Sequence, residues 1–183
     1  RILTVMPTQK LNVNGTAVRA GLSLNKILYL PEELKKFTPT LKNKPILKDH
    51  FPSTDATIGK ITDTAFNNAS TEVKYSGWIK EDGTGIIERI EDGRISEVSI
   101  GGVVGRLVKE NLDDDFFIAK DIKAIELSTT PTPATVGTSI QQTLKSLSEA
   151  KTPNDFKKIK PVFEQVHFIT ESYDLSEHKK HDV

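Results

Sequence analysis

The sequence predicts an α+β protein, mainly an antiparallel β-barrel or curved sheet with peripheral helices. Three observations lead there. Short strand-like runs outnumber the long helical stretches that parallel α/β units require. The run "TEVKYSGWIK", residues 71–80, alternates Val73, Tyr75, Gly77 and Ile79 with Glu72, Lys74, Ser76, Trp78 and Lys80, the period of a strand with one face buried. Proline and glycine recur at short intervals and close the runs before they lengthen.

In chain order, Ile2 to Val5 and Leu11 to Val13 read as short strands, divided by Pro7 and closed by a turn at Asn14-Gly15. Pro31-Glu32-Glu33 opens a short helix, because proline suits the first helical position and acids favour the positive end of the dipole. Leu34 and Phe37 supply its apolar side, and Pro39 is expected to stop it. Apolar stretches at Ile46-Leu47 and at Ile58 and Ile61 flank a polar loop containing Pro52. A helix is expected over 84–92, with Thr84 as N-cap, Ile86, Ile87 and Ile90 on one side, and Gly93 as the left-handed stop. Phe116 to Ile118 leads into a strand that Pro131 and Pro133 close. Ser139 is expected to cap a helix bearing Ile140, Leu144 and Leu147. From Lys151 the composition shifts toward Lys and Pro, with Val162, Val166, Ile169 and Tyr173 at helical spacing. These features predict a domain over 1–150 and a helical or partly disordered extension over 151–183.

Lys plus Arg and Asp plus Glu both number 25, so the formal net charge is zero. That argues against sequence-independent nucleic-acid binding, which depends on a basic surface. The lack of cysteine excludes disulfides, thiolate zinc sites and a cysteine nucleophile. His178 and His181 are spaced as a weak metal signal with no third ligand evident, and His167 stands apart, so neither metal nor cofactor is expected. No apolar run approaches the ~20 residues needed to cross a bilayer, and "RILTVMPTQK" lacks the apolar stretch of a secretory signal; a soluble, intracellular protein is expected.

Three residues carry candidate chemistry. In "RISEVSIGG", residues 94–102, alternation puts Val98 and Ile100 on one face of a strand and Ser99 on the other, in line with Gly101. The pair Gly101-Gly102 would leave backbone N–H groups near Ser99 to hold an oxyanion; a surface-facing serine on an edge strand fits the same letters. His50, in "LKDHFP", has a side chain that ordinarily titrates near neutral pH and suits a general base, or is a loop histidine bonded to Asp49 or to backbone. Glu126, in "KAIELS", is expected to share a face with Ile122 and Ala124, where a carboxylate needs a histidinium or a Lys or Arg partner. Serine, histidine and acid are the inventory of a nucleophile, its base and the group that orients the base.

Three stretches together resemble the prohead, or capsid-maturation, proteases of tailed bacteriophages, which are distantly similar to herpesvirus assemblin. "NKPILKDHFPSTDATIGKITD" is similar to the family's K-P-hydrophobic-x-x-x-H block followed by I-G-K/R-V. "DGRISEVSIGG" is similar to its G-x-I-S-x-x-S-I-G block, and "IKAIELSTTPTPATVGTSI" to its strand ending in an acid before a P-A turn. The similarity spans roughly residues 11 to 140 in matching order. Gly102 stands where many relatives have an aromatic residue, and Thr135 where many have Asn after the P-A turn.

The resemblance implies an assemblin-like fold and a serine endopeptidase with His50 as base, Ser99 as nucleophile and Glu126 as the third member. It implies Ile100, Gly101 and Gly102 as the oxyanion or substrate groove, and Ser96 as a supporting serine. Scaffold and major capsid protein precursors would be the substrates, in the host cytoplasm inside the viral prohead, with a homo-oligomer, no membrane and no specific nucleic acid. The segment around Asn12 to Gly15 resembles the branch from large contractile-tailed phages, which cuts after Glu with an aliphatic residue two positions before. Ile95-Ser96-Glu97, Leu147-Ser148-Glu149 and Leu175-Ser176-Glu177 satisfy that rule, and a self-cleavage site after Glu149 would release the Lys-rich tail. The same resemblance also admits an inactive structural protein of the phage head, internal or decorating.

Overall fold

The structure, a computed structural model, describes residues 9–142 and the backbone of 167–170. The elements are β1 (Lys10–Arg19), β2 (Gly21–Leu22), β3 (Ile27–Tyr29), α1 (Pro31–Leu41), β4 (Pro45–Lys48), β5 (Thr57–Asn67), β6 (Glu72–Lys80), α2 (Ile86–Glu91), β7 (Val98–Val108), β8 (Phe117–Thr129), β9 (Gln141–Gln142) and β10 (His167–Thr170). Among the described residues they make one sheet in the order β10-β7-β8-β4-β5-β6-β1-β9, with β3 beside β8 and β2 beside β3. The sheet curls into a half-barrel, giving a mixed α+β architecture with few helices.

Most pairings are antiparallel, but β3 and β4 both run parallel to β8, aligned with its two ends. The connection between them is α1, whose Leu34, Phe37 and Leu41 are fully buried in the main core. That core is filled by Val13, Ile46, Ile61, Val73, Ile79, Ile100 and Leu127, all fully buried; each such aliphatic side chain contributes about 1.5–3 kcal/mol relative to exposure. A smaller cluster of Leu30, Val108 and Ile118 lies apart from it.

Several local expectations change. Asn14-Gly15 is no turn: β1 runs through it to Arg19, and a side chain at Gly15 would collide with the Ser139 carbonyl, so glycine serves close approach. Pro39 sits inside α1 rather than ending it. The carbonyl of Leu34 accepts a 2.8 Å bond from the Thr38 hydroxyl, and that of Phe37 one of 2.7 Å from the Thr40 hydroxyl. Thr84 does not cap α2; Gly85 does, in a left-handed conformation at φ 76°. The Glu81 carboxylate instead accepts from the N–H groups of Gly83, Gly85 and Ile87 at 2.9, 2.9 and 3.2 Å.

Ser139 caps no helix either. Its hydroxyl accepts from Thr16 N–H at 3.1 Å, and the chain continues as β9 on β1 because Ser139 and Ile140 N–H are taken by the carbonyls of Thr16 and Ser96. Ile169, expected on a helix, lies in β10, paired antiparallel to β7 from His167 opposite Val104 to Thr170 opposite Gly101. Ile2 to Val5, Leu144, Leu147, Val162, Val166 and Tyr173 lie outside the described residues.

Candidate active site

β7 and β8 build the floor of the site. Their register pairs Ile100 with Leu127 and Gly101 with Glu126, then slips by one so that Gly102 faces Ala124. The slip is a β-bulge: Ile125 is the extra residue and lies 43% exposed. This changes one expectation. Ile122 and Ala124 belong to the core, and so does Leu127 beyond the bulge. Glu126 therefore does not share their face; it turns to the side of Ser99, Gly101 and Ser128.

Parallel pairing of β4 with β8, Leu47 opposite Ser128 and Lys48 opposite Thr129, carries His50 over that floor. Beyond β4 the chain makes two consecutive left-handed residues, Asp49 at φ 48° and His50 at φ 56°. Side chains disfavour this region by about 1–2 kcal/mol per residue, so the turn needs holding. Asp49 N–H donates to the Thr129 carbonyl at 3.0 Å, and His50 N–H to the Ser128 hydroxyl at 2.9 Å. Lys48 adds an ion pair with Asp82 in the loop after β6. Desolvation raises the Asp82 carboxyl, but hydrogen bonds from Lys48 and Thr84 outweigh it and bring its pKa down to about 2.

Ser99, His50 and Glu126 meet in one hydrogen-bonded series. His50 Nε2 lies 2.9 Å from Ser99 Oγ, and His50 Nδ1 pairs with Glu126 Oε1. The second carboxylate oxygen, Oε2, accepts from Ser128 Oγ at 2.6 Å. His50 N–H is a donor, so the one proton of Ser128 goes to Glu126; with a carboxylate at Glu126 and a neutral imidazole at His50, Nδ1 would carry the ring proton. Nε2 would then accept from the Ser99 hydroxyl, the tautomer in which a histidine takes a proton from serine. Ser99 is 0% exposed and the side chains of His50 and Glu126 are each 7% exposed, so these bonds lie out of water. A surface-facing serine on an edge strand is thereby replaced by a buried one between two strands.

The glycines have structural reasons of their own. A side chain at Gly101 would overlap the Glu126 carboxylate, and one at Gly102 would lie 2.8 Å from the Lys123 carbonyl at the bulge. Ile100 points into the core, so its side chain lines no groove. Ser96 is exposed ahead of β7, and its carbonyl accepts Ile140 N–H at 2.9 Å. Phe51, next to His50, is 65% exposed. Glu149, His178 and His181 lie outside the described residues, and of His167 only the backbone is described.

Ser128 is the functional candidate that sequence reasoning passed over. Its signal was present: in "ELS" it stands two residues from Glu126, hence on the same strand face. Among the described residues no group of three or more His, Asp or Glu is arranged to hold a metal ion, and no helix is long and apolar enough to cross a membrane. No family model and no curated protein matches the chain.

Proposed function

We propose that this chain is a serine endopeptidase of the prohead-protease type, assemblin-like in fold, that processes scaffold and capsid precursors and itself inside the viral prohead. The observation that carries this reading is the series Ser99 Oγ, His50 Nε2, His50 Nδ1, Glu126, a geometry that one tautomer of His50 makes suited to catalysis. Ser99 Oγ attacks the scissile carbonyl as its proton passes to Nε2. Glu126 stabilises the imidazolium through Nδ1–H, the proton leaves with the amine, and water, deprotonated by the same nitrogen, releases the acyl group. A polypeptide substrate suits the setting, since the outer edge of β7 from Gly101 to Val104 already accepts an extended strand, β10, by backbone pairing.

The test is incubation of wild type, Ser99→Ala and His50→Ala with scaffold or capsid precursor, reading product termini by mass spectrometry. Cuts after Glu that vanish in both variants are expected, with Ser99→Ala lowering kcat by about 10⁶. Identical uncut substrate with all three proteins under several assembly conditions overturns the proposal. A second reading, a protease-fold structural protein of the phage head without turnover, is favoured by the complete burial of Ser99, and that negative outcome would select it.

A further inference from the structure

Ser128 is buried at 0% exposure and uses its hydroxyl twice, once toward each of two site residues in different strands or turns. It donates to Glu126 Oε2 at 2.6 Å and accepts from His50 N–H at 2.9 Å. The first bond fixes the carboxylate plane so that Oε1 is presented to Nδ1. The second satisfies the backbone of a residue held at φ 56°, a conformation that a histidine leaves readily when nothing retains it. No other residue in the series bonds both the acid's side chain and the base's main chain.

From this double contact we infer that Ser128 is a positioning residue, which sets the distance and angle between Glu126 and His50; the inference rests on the protease reading above. Ser128 stands across the ladder from Ser99, but its hydroxyl is directed to Glu126 and to the His50 main chain, so it acts through the pair it holds. An alanine there leaves Oε2 and the His50 N–H without these partners inside the protein, and unmade buried hydrogen bonds are replaced by movement of the groups that made them. Loss of alignment by about 1 Å costs a reaction about 100-fold.

The experiment uses the full chain and a fluorophosphonate probe that labels activated serines, followed by intact-mass spectrometry, on wild type and on Ser99→Ala, Ser128→Ala, Ser128→Cys and Ser128→Thr. Ser128→Cys keeps the volume while donating weakly, so it serves if Ser128→Ala fails to fold. Labelling at Ser99 is expected to fall by about 10- to 100-fold in the Ala and Cys variants and to return to near wild type in the Thr variant, which retains the hydroxyl. The His50 Nδ1–H proton resonance, followed in the same proteins, is expected to persist in wild type and Thr and to vanish or move in Ala and Cys. Folded Ala or Cys variants that label at the wild-type rate overturn the role of Ser128. If wild type labels no faster than Ser99→Ala, the protease reading fails instead; the resonance then decides the positioning role alone, and an unchanged signal in Ser128→Ala rejects it.

Discussion

Replacing Gly101 with alanine tests how tightly β7 and the acid are fitted. The new methyl would lie 2.8 Å from Glu126 Cδ and 3.1 Å from Cγ, besides overlapping Oε1. Ordinary carbon contacts stand at about 3.5–4.0 Å, so the carboxylate must retreat by about 1 Å, taking its bonds to Nδ1 and Ser128 with it. Overpacking of this kind costs about 1–3 kcal/mol, partly offset by the roughly 0.5–1 kcal/mol gained when a non-glycine residue lowers the entropy of the unfolded chain. A net loss of about 0.5–2 kcal/mol in urea unfolding is expected, together with a fall of about 100-fold in fluorophosphonate labelling of Ser99. Gly102→Ala should also lower stability, by a different contact: its methyl meets the Lys123 carbonyl at the bulge rather than the Glu126 carboxylate. Adding Glu126→Asp to Gly101→Ala should restore stability by making room, yet not labelling, because the shorter acid no longer reaches Nδ1. A Gly101→Ala protein with the wild-type unfolding midpoint and labelling rate would refute the argument.

Three further outcomes are expected. Asp82→Asn should cost under about 1 kcal/mol, since an ion pair this near the surface is screened; because the folded carboxyl is depressed, the wild type holds this advantage above pH ~4 and loses it as pH falls toward ~2, so urea midpoints of the two proteins should converge in acid. Glu81→Ala strips three backbone N–H groups at the start of α2 of their acceptor and should lower stability by about 1–2 kcal/mol, with faster amide exchange at Gly83, Gly85 and Ile87; exchange unchanged at those three would contradict it. Ending the chain at residue 150 removes β10 from β7 beside the fully buried Ser99 and should speed labelling roughly tenfold, a barrier change near 1.4 kcal/mol; an unaltered rate would show that β10 takes no part in limiting access.

Alternation made the strands of the site legible. It placed Ser99 opposite Val98 and Ile100 on β7, and it marked Glu126 as a carboxylate in need of a partner. It failed at Glu126's facing, because a count of two per repeat has no means of registering an extra residue such as Ile125. Distance along the chain hid the rest. Nothing in "LKDHFP" announces that β4 pairs with β8 in parallel 81 residues later, Ile46 opposite Leu127, and that pairing is what brings His50 to Ser99. Gly15 and Gly101 were visible as glycines, but their reason, a neighbouring carbonyl in one case and a carboxylate in the other, belongs to segments far away in sequence. Pro39 misled because a proline near the end of a helix forfeits only one hydrogen bond, too little to outweigh the burial of Leu41.

The bulge at Ile125 gives the site an unusual tolerance to changes in chain length. Losing one residue from a strand normally exchanges its two faces from that point on. Here the loss of Ile125 would join Ala124 to Glu126 opposite Gly102 and Gly101, and the ladder would become regular with every side chain on its present side. A deletion at this one position is thus gentler on the layout than an insertion anywhere else in β8. What it would remove is the local twist that a bulge imparts, leaving the acid on the correct side of the sheet but aimed by a straighter strand. Homologous chains one residue shorter here would show the plain alternation that this sequence lacks.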